Sequence, residues 1–172
     1  MVIAAIFLTL LFTIDNLLII FFPLHRVFGE YQLIPYLLLM GICVYTFFAQ
    51  KNHAIYLALI FGLIYDIYSA NVLGLYITIF PLIALFIKKY LVEVTPINFI
   101  SIFYVTSVAI LIVELVVYLF VIIITSQTMS IFAFIQSRLL FTLLFNTLLL
   151  AIFYLPMVKT LQFKTEKKSK ES

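Results

Sequence analysis

The sequence predicts an all-α integral membrane protein built as a six-helix transmembrane bundle. Three observations carry that expectation. Of 172 residues, 66% are hydrophobic. Only 10% are charged, against about 25% in an ordinary soluble domain. The mean hydropathy is +1.29, and a water-soluble fold of this size has too little interior to hide so much apolar surface. Inside a bilayer every backbone polar group must be satisfied internally, which leaves helices or a closed barrel. A barrel strand alternates apolar and polar residues. Residues 37–48 and 108–124 show no such alternation, so helices remain.

Six apolar runs can be drawn, at about 2–22, 32–49, 54–70, 74–90, 98–125 and 135–157. The first has no basic leader and no small-residue cleavage site, so it reads as a retained helix. Pro23 and Gly29 mark the first break and Lys51-Asn52-His53 the second. Ser69-Ala70-Asn71 marks the third, Glu93 to Pro96 the fourth and Ser126-Gln127-Thr128 the fifth. The second and third breaks are very short, which makes runs two, three and four antiparallel neighbours.

Basic residues set the orientation. With the N-terminus inside, Lys51, Lys88, Lys89, Lys159, Lys164, Lys167, Lys168 and Lys170 all fall on the cytoplasmic side, and only Arg26 and Arg138 fall toward the other. Both termini are therefore expected in the cytoplasm. The stretch 158–172 is expected to be a disordered basic tail, either a topology anchor drawn to anionic lipid or a contact for a cytoplasmic partner.

Four ionisable residues lie within the runs: Asp15, Asp66, Glu114 and Arg138. Charges at that depth are costly and usually face the bundle interior. Counting the helical rise from the outer ends puts Asp66 roughly 6–8 Å deep, Arg138 about 5–6 Å, Asp15 about 10 Å and Glu114 about 15 Å. The matching depths suggest an Asp66–Arg138 pair. Inward faces are expected at Gly62, Asp66 and Ser69, at Tyr104, Ser107, Glu114 and Tyr118, and at Arg138, Thr142 and Asn146. These groups could hold helices together by hydrogen bonds, bind a ligand or ion, or meet a partner helix. Three acids against one base leave negative charge to be neutralised.

Catalytic signatures do not emerge. There is no HExxH, Walker loop or GxSxG. His25 and His53 should face opposite sides of the membrane, and the lone Cys43 reads as a small buried hydrophobe. No enzyme activity, cofactor, metal site or nucleic-acid partner is expected.

The third run passes into the fourth through Gly62-Leu63, Asp66 and Leu73-Gly74-Leu75-Tyr76. This pattern resembles the MreD family, the bacterial rod shape-determining membrane proteins. The first run, with Asp15 and Asn16 near its end and a Phe22-Pro23 exit, is similar to the family's opening helix. Physically, Gly62 allows close helix approach one turn before Asp66, and Gly74 suits a turn needing positive φ. The resemblance implies a non-enzymatic scaffold of the cell-elongation complex (the elongasome) that builds lateral-wall peptidoglycan in the bacterial cell membrane. It implies as partners the bitopic protein MreC, the actin-like MreB, the polymerase RodA and its class B penicillin-binding protein. Gly62, Asp66, Gly74, Asp15, Asn16, Glu114 and Arg138 become candidates for structural or partner-contact roles. The family is also similar in fold to the S components of energy-coupling-factor transporters, so a vitamin-binding S component is the alternative. The first run has only Ala4-Ala5 in place of the small AxxxA face by which those components dock, which weighs against it. Co-purifying ATPases would favour the S component; loss of cell shape on depletion would favour the scaffold.

Overall fold

The computed structural model describes residues 2–21, 33–50, 52–70, 74–125 and 130–169. Among them all regular structure is helical, in six continuous segments. These are α1 (Val2–Phe21), α2 (Leu37–Phe48), α3 (His53–Tyr65, continued by a π-helical turn Asp66–Ala70), α4 (Tyr76–Phe86, continued by a π turn Ile87–Leu91), α5 (Phe99–Thr125) and α6. The last starts at Ile131–Phe134, passes through a π turn at Ile135–Leu139 and runs on as Leu140–Ser169.

α1, α5 and α6 are each long and apolar enough to cross a membrane. Their exterior is apolar as well: Ile6, Ile20, Ile100, Leu119, Leu144 and Leu148 all face outward. Exposed residues of that size and number belong in lipid, and the protein is an integral membrane protein.

α2 is different. Every residue from Leu37 to Phe47 is buried, and the helix packs against all five others. Its 12 residues rise about 18 Å, well short of a hydrocarbon core of about 30 Å. The expected run began at 32; the helix begins at Leu37, after the non-helical residues 33–36. Pro35 cannot donate a backbone hydrogen bond and biases its predecessor away from helix.

Two glycines set helix distances. A Cβ on Gly62 would lie 2.5 Å from the Tyr76 carbonyl oxygen and 2.8 Å from Ile77 Cα, so α3 and α4 touch backbone to backbone there. Gly41 lets α2 approach α1, with the Leu8 and Leu11 side chains filling the space a Cβ would need.

The last helix departs from expectation at both ends. It starts at Ile131, four residues before the expected run, with Ser130 Oγ accepting from the Ala133 N–H at 3.2 Å as an N-cap. It then continues to Ser169, where a disordered tail from 158 was expected. Gln162, Lys164, Glu166, Lys167 and Lys168 are good helix formers, and an established helix needs no new nucleus to propagate. Pro156 lies inside it.

Candidate functional site

The buried charged groups, with Thr142 and Asn146, gather toward the end of the bundle where α1 and α3 finish and α2 and α4 begin. On α1 the buried stripe is Ala4, Leu8, Leu11 and Asp15, stepping by three and four. Asp15 is wholly buried. Its Oδ1 accepts from the Leu37 N–H and its Oδ2 from the Leu38 N–H, both at 2.9 Å. These are two of the four N–H groups that a helix start leaves without an intrahelical partner. Tyr36, at the N-cap of α2, makes no side-chain cap of its own. A carboxylate from α1 supplies it instead, and its charge complements the positive end of the helix dipole.

Asp66 does the same for α4. Its Oδ1 accepts from the Tyr76 N–H at 2.8 Å, and its Oδ2 accepts from Gly74 at 3.0 Å and Ile77 at 3.1 Å. Leu75, the N-cap, contributes no side-chain bond. Gly74 has φ +112°, a conformation L side chains rarely adopt, and this aims its N–H at the carboxylate. Gly62, one turn before Asp66, lets α4 start close enough for the three bonds to form.

Glu114 of α5 is also wholly buried. Arg138 donates to it from Nε at 2.7 Å and from Nη2 at 3.4 Å, and the Tyr36 hydroxyl donates at 2.8 Å. Arg138 sits on the π turn of α6, two helical turns before Asn146. Asn146 Oδ1 accepts from the Tyr36 N–H at 2.8 Å, and its Nδ2 donates to the Ile34 and Thr142 carbonyls at 2.7 and 2.8 Å. One amide thus satisfies two backbone groups of the non-helical segment 33–36, the Ile34 carbonyl and the Tyr36 N–H, at membrane depth. Aromatic rings fill the space between: Tyr65 packs against Tyr76 with centroids 4.6 Å apart and against Phe80 at 5.7 Å.

The expected Asp66–Arg138 pair does not form. The Asp66 oxygens are taken by α4, and Arg138 binds Glu114. The depth estimate failed because α6 begins at Ile131. That puts Arg138 about 10 Å into the helix rather than 5–6 Å, within reach of Glu114. The surplus acids need no basic partner, since two of the three face helix N-termini. The face expected on α5 is also revised: Tyr104 is exposed, and Ile102, Thr106, Ala109, Val113 and Glu114 form the buried stripe. Arg138, Thr142 and Asn146 do share one face, and Thr142 and Asn146 are buried. Asn16 donates from Nδ2 to the Phe12 carbonyl at 2.8 Å within its own helix. Ser69's side chain, Asn71, His25, Arg26 and the Phe22-Pro23 exit lie outside the described residues.

Sequence reading overlooked Tyr36. It links α5 through its hydroxyl and α6 through its N–H. The only signal was its place just after Pro35 at the head of an apolar run. Cys43 is buried in α2. Among the described residues, no group of three or more His, Cys, Asp or Glu gathers where a metal could sit. Chemically the arrangement is a set of anchors, with each carboxylate neutralised by a fixed dipole or a cation.

A family model described as rod shape-determining protein MreD matches residues 1–164. No curated protein and no solved structure matches the chain.

Proposed function

The chain belongs to the MreD family of rod shape-determining proteins, and from that premise we propose that it is a non-enzymatic membrane scaffold of the complex that elongates the bacterial cell wall. The family match across residues 1–164 carries the reading. The family is one of structural membrane proteins. The chemistry of the buried end supports the same view: its carboxylates hold helix ends and an arginine, a use that favours a rigid body over a reactive site.

In this reading MreC, RodA with its class B penicillin-binding protein, and MreB are the partners. The chain crosses the membrane several times with both termini in the cytoplasm, which the distribution of lysines supports. The carboxylate end then faces outward, and the lysines of the last helix lie against the anionic inner surface. Asp15, Asn16, Gly62, Asp66, Gly74, Glu114 and Arg138 act by fixing the shape that partners meet.

The test is a mild-detergent pull-down of a C-terminally tagged full chain from its native membrane, read by mass spectrometry. Recovery of MreC and the wall polymerase is the expected result. Recovery of a coupling subunit with ATPases would instead make the protein an S component.

A further inference from the structure

α4 and α5 are joined by residues 92–98 yet make few close contacts along their lengths. An apolar groove of about 690 Å³ opens between them. One wall runs from Ile79 through Phe86 to Leu91, and the other from Tyr104 through Val108 to Val116. Each wall covers twelve residue steps, roughly 18 Å along its helix. The hydrocarbon of a single leaflet is about 15 Å deep, half of a core of about 30 Å. The groove therefore matches one leaflet, and it falls short of what a spanning partner helix would occupy.

Its charge is confined to one end. Lys89 Nζ lies 5.1 Å from the centre of the Tyr90 ring, and Tyr90 lines the groove. At the same level the Lys88 ammonium is buried without a hydrogen bond among the described residues. Glu93, the nearest acid along the chain, is exposed and forms no ion pair with either lysine among the described residues. A buried ammonium without an anion is costly. Both cations sit on the π turn Ile87–Leu91, where α4 reaches the membrane surface.

We infer that this groove is a binding site for an anionic phospholipid of the leaflet at the lysine end. An acyl chain lies between α4 and α5, and the phosphate lies at Lys89, with the buried Lys88 ammonium adding positive charge behind it. The match to a single leaflet selects a lipid tail over a helix. An exposed ammonium at the groove's edge and a second one buried beside it without an anion select an anionic headgroup over a zwitterionic one.

The chain contains no tryptophan, so a single introduced one reports on its own surroundings. The full chain would carry Ile112→Trp or Leu82→Trp, one on each wall. Both positions are already partly open to lipid, and either variant suffices if the other folds poorly. Leu148→Trp on the lipid-facing side of α6 is the reference. Each variant goes into phosphatidylcholine vesicles in which a minority lipid carries brominated chains, either phosphatidylglycerol or phosphatidylcholine. Brominated phosphatidylglycerol should quench the groove tryptophans at a several-fold lower mole fraction than brominated phosphatidylcholine. Adding Lys88→Gln and Lys89→Gln should erase that difference. The reference should be quenched equally by both lipids. Equal quenching in the groove would reduce it to ordinary boundary lipid and overturn the inference. So would groove tryptophans that neither lipid quenches while the reference is quenched, because the groove would then be closed by protein.

Discussion

Asp15 and Asp66 perform one task over different stretches of chain. Each is buried, Asp66 where α3 passes into its π turn and Asp15 six residues before the end of α1, and each receives the first N–H groups of the next helix. Asp66 reaches residues 8 to 11 positions ahead, inside a hairpin whose helices already touch at Gly62. Asp15 reaches 22 and 23 positions ahead, across the first connection, to the start of the central helix. The local cap strengthens a contact that the short turn would favour anyway. The distant cap fixes where α2 begins, and with it the seat of every other helix. Glu114 stands apart from both, because a cation neutralises it rather than a helix end.

That contrast can be broken most severely at the third carboxylate. Arg138→Gln leaves Glu114 buried without its cation, a change that typically costs about 3–5 kcal/mol. Thermal melting of the detergent-solubilised chain should show the largest loss here. Adding Glu114→Gln should recover much of it, whereas adding Asp66→Asn should recover none. Rescue by Asp66→Asn would mean that Arg138 answers to α3.

Next come Asp66→Ala and Asp15→Ala. Each removes a charged hydrogen-bond acceptor, a loss of about 1.5–3 kcal/mol once the groups around one carboxylate relax together. Both should lower the melting temperature. They should part in how they do so: Asp66→Ala leaves the α3–α4 hairpin closed, and Asp15→Ala loosens α2. A cysteine pair linking α1 to α2 should cross-link less in Asp15→Ala and normally in Asp66→Ala. Equal cross-linking in both would erase the distinction between local and distant caps.

Asp66→Asn is the milder probe of the same site, since it keeps one acceptor oxygen. We expect it to reduce partner recovery in the pull-down more than it reduces expression. A fall in expression alone would make the residue purely structural.

The glycines should give the smallest effects. Gly62→Ala forces the α4 backbone to move and should cost about 1–3 kcal/mol, as overpacking does. Gly74→Ala has open space around it, yet the strained φ should cost roughly 1–3 kcal/mol. Gly41→Ala meets only leucine side chains and should be tolerated best. A melting series that reversed Gly62 and Gly41 would show that backbone contact does not set the α3–α4 distance.

The parts of this site that could be read beforehand were those held by neighbouring residues. Gly62, Asp66 and Gly74 lie within thirteen positions, so helical spacing and turn chemistry were enough to place them together. The shared face of Arg138, Thr142 and Asn146 was visible for the same reason. What those residues touch was not. The Tyr36–Asn146 bond joins positions 110 apart, and no periodicity encodes such a distance. Helix ends were the other weak point. An apolar run does not reveal that the chain stays non-helical through Pro35, nor that Ser130 starts α6 early. The second of these was enough to mispair Arg138.

Asn146 also bears on how the protein is made. Residues 33–36 leave the ribosome early, and the amide that satisfies Ile34 and Tyr36 comes from α6, synthesised after α1 to α5. Until α6 is inserted, those backbone groups have no permanent partner in the hydrocarbon, and the short α2 has no complete seat. The nascent chain therefore cannot complete the seat of α2 until α6 arrives, and a copy cut short before Asn146 would leave the Ile34 carbonyl and the Tyr36 N–H without that partner.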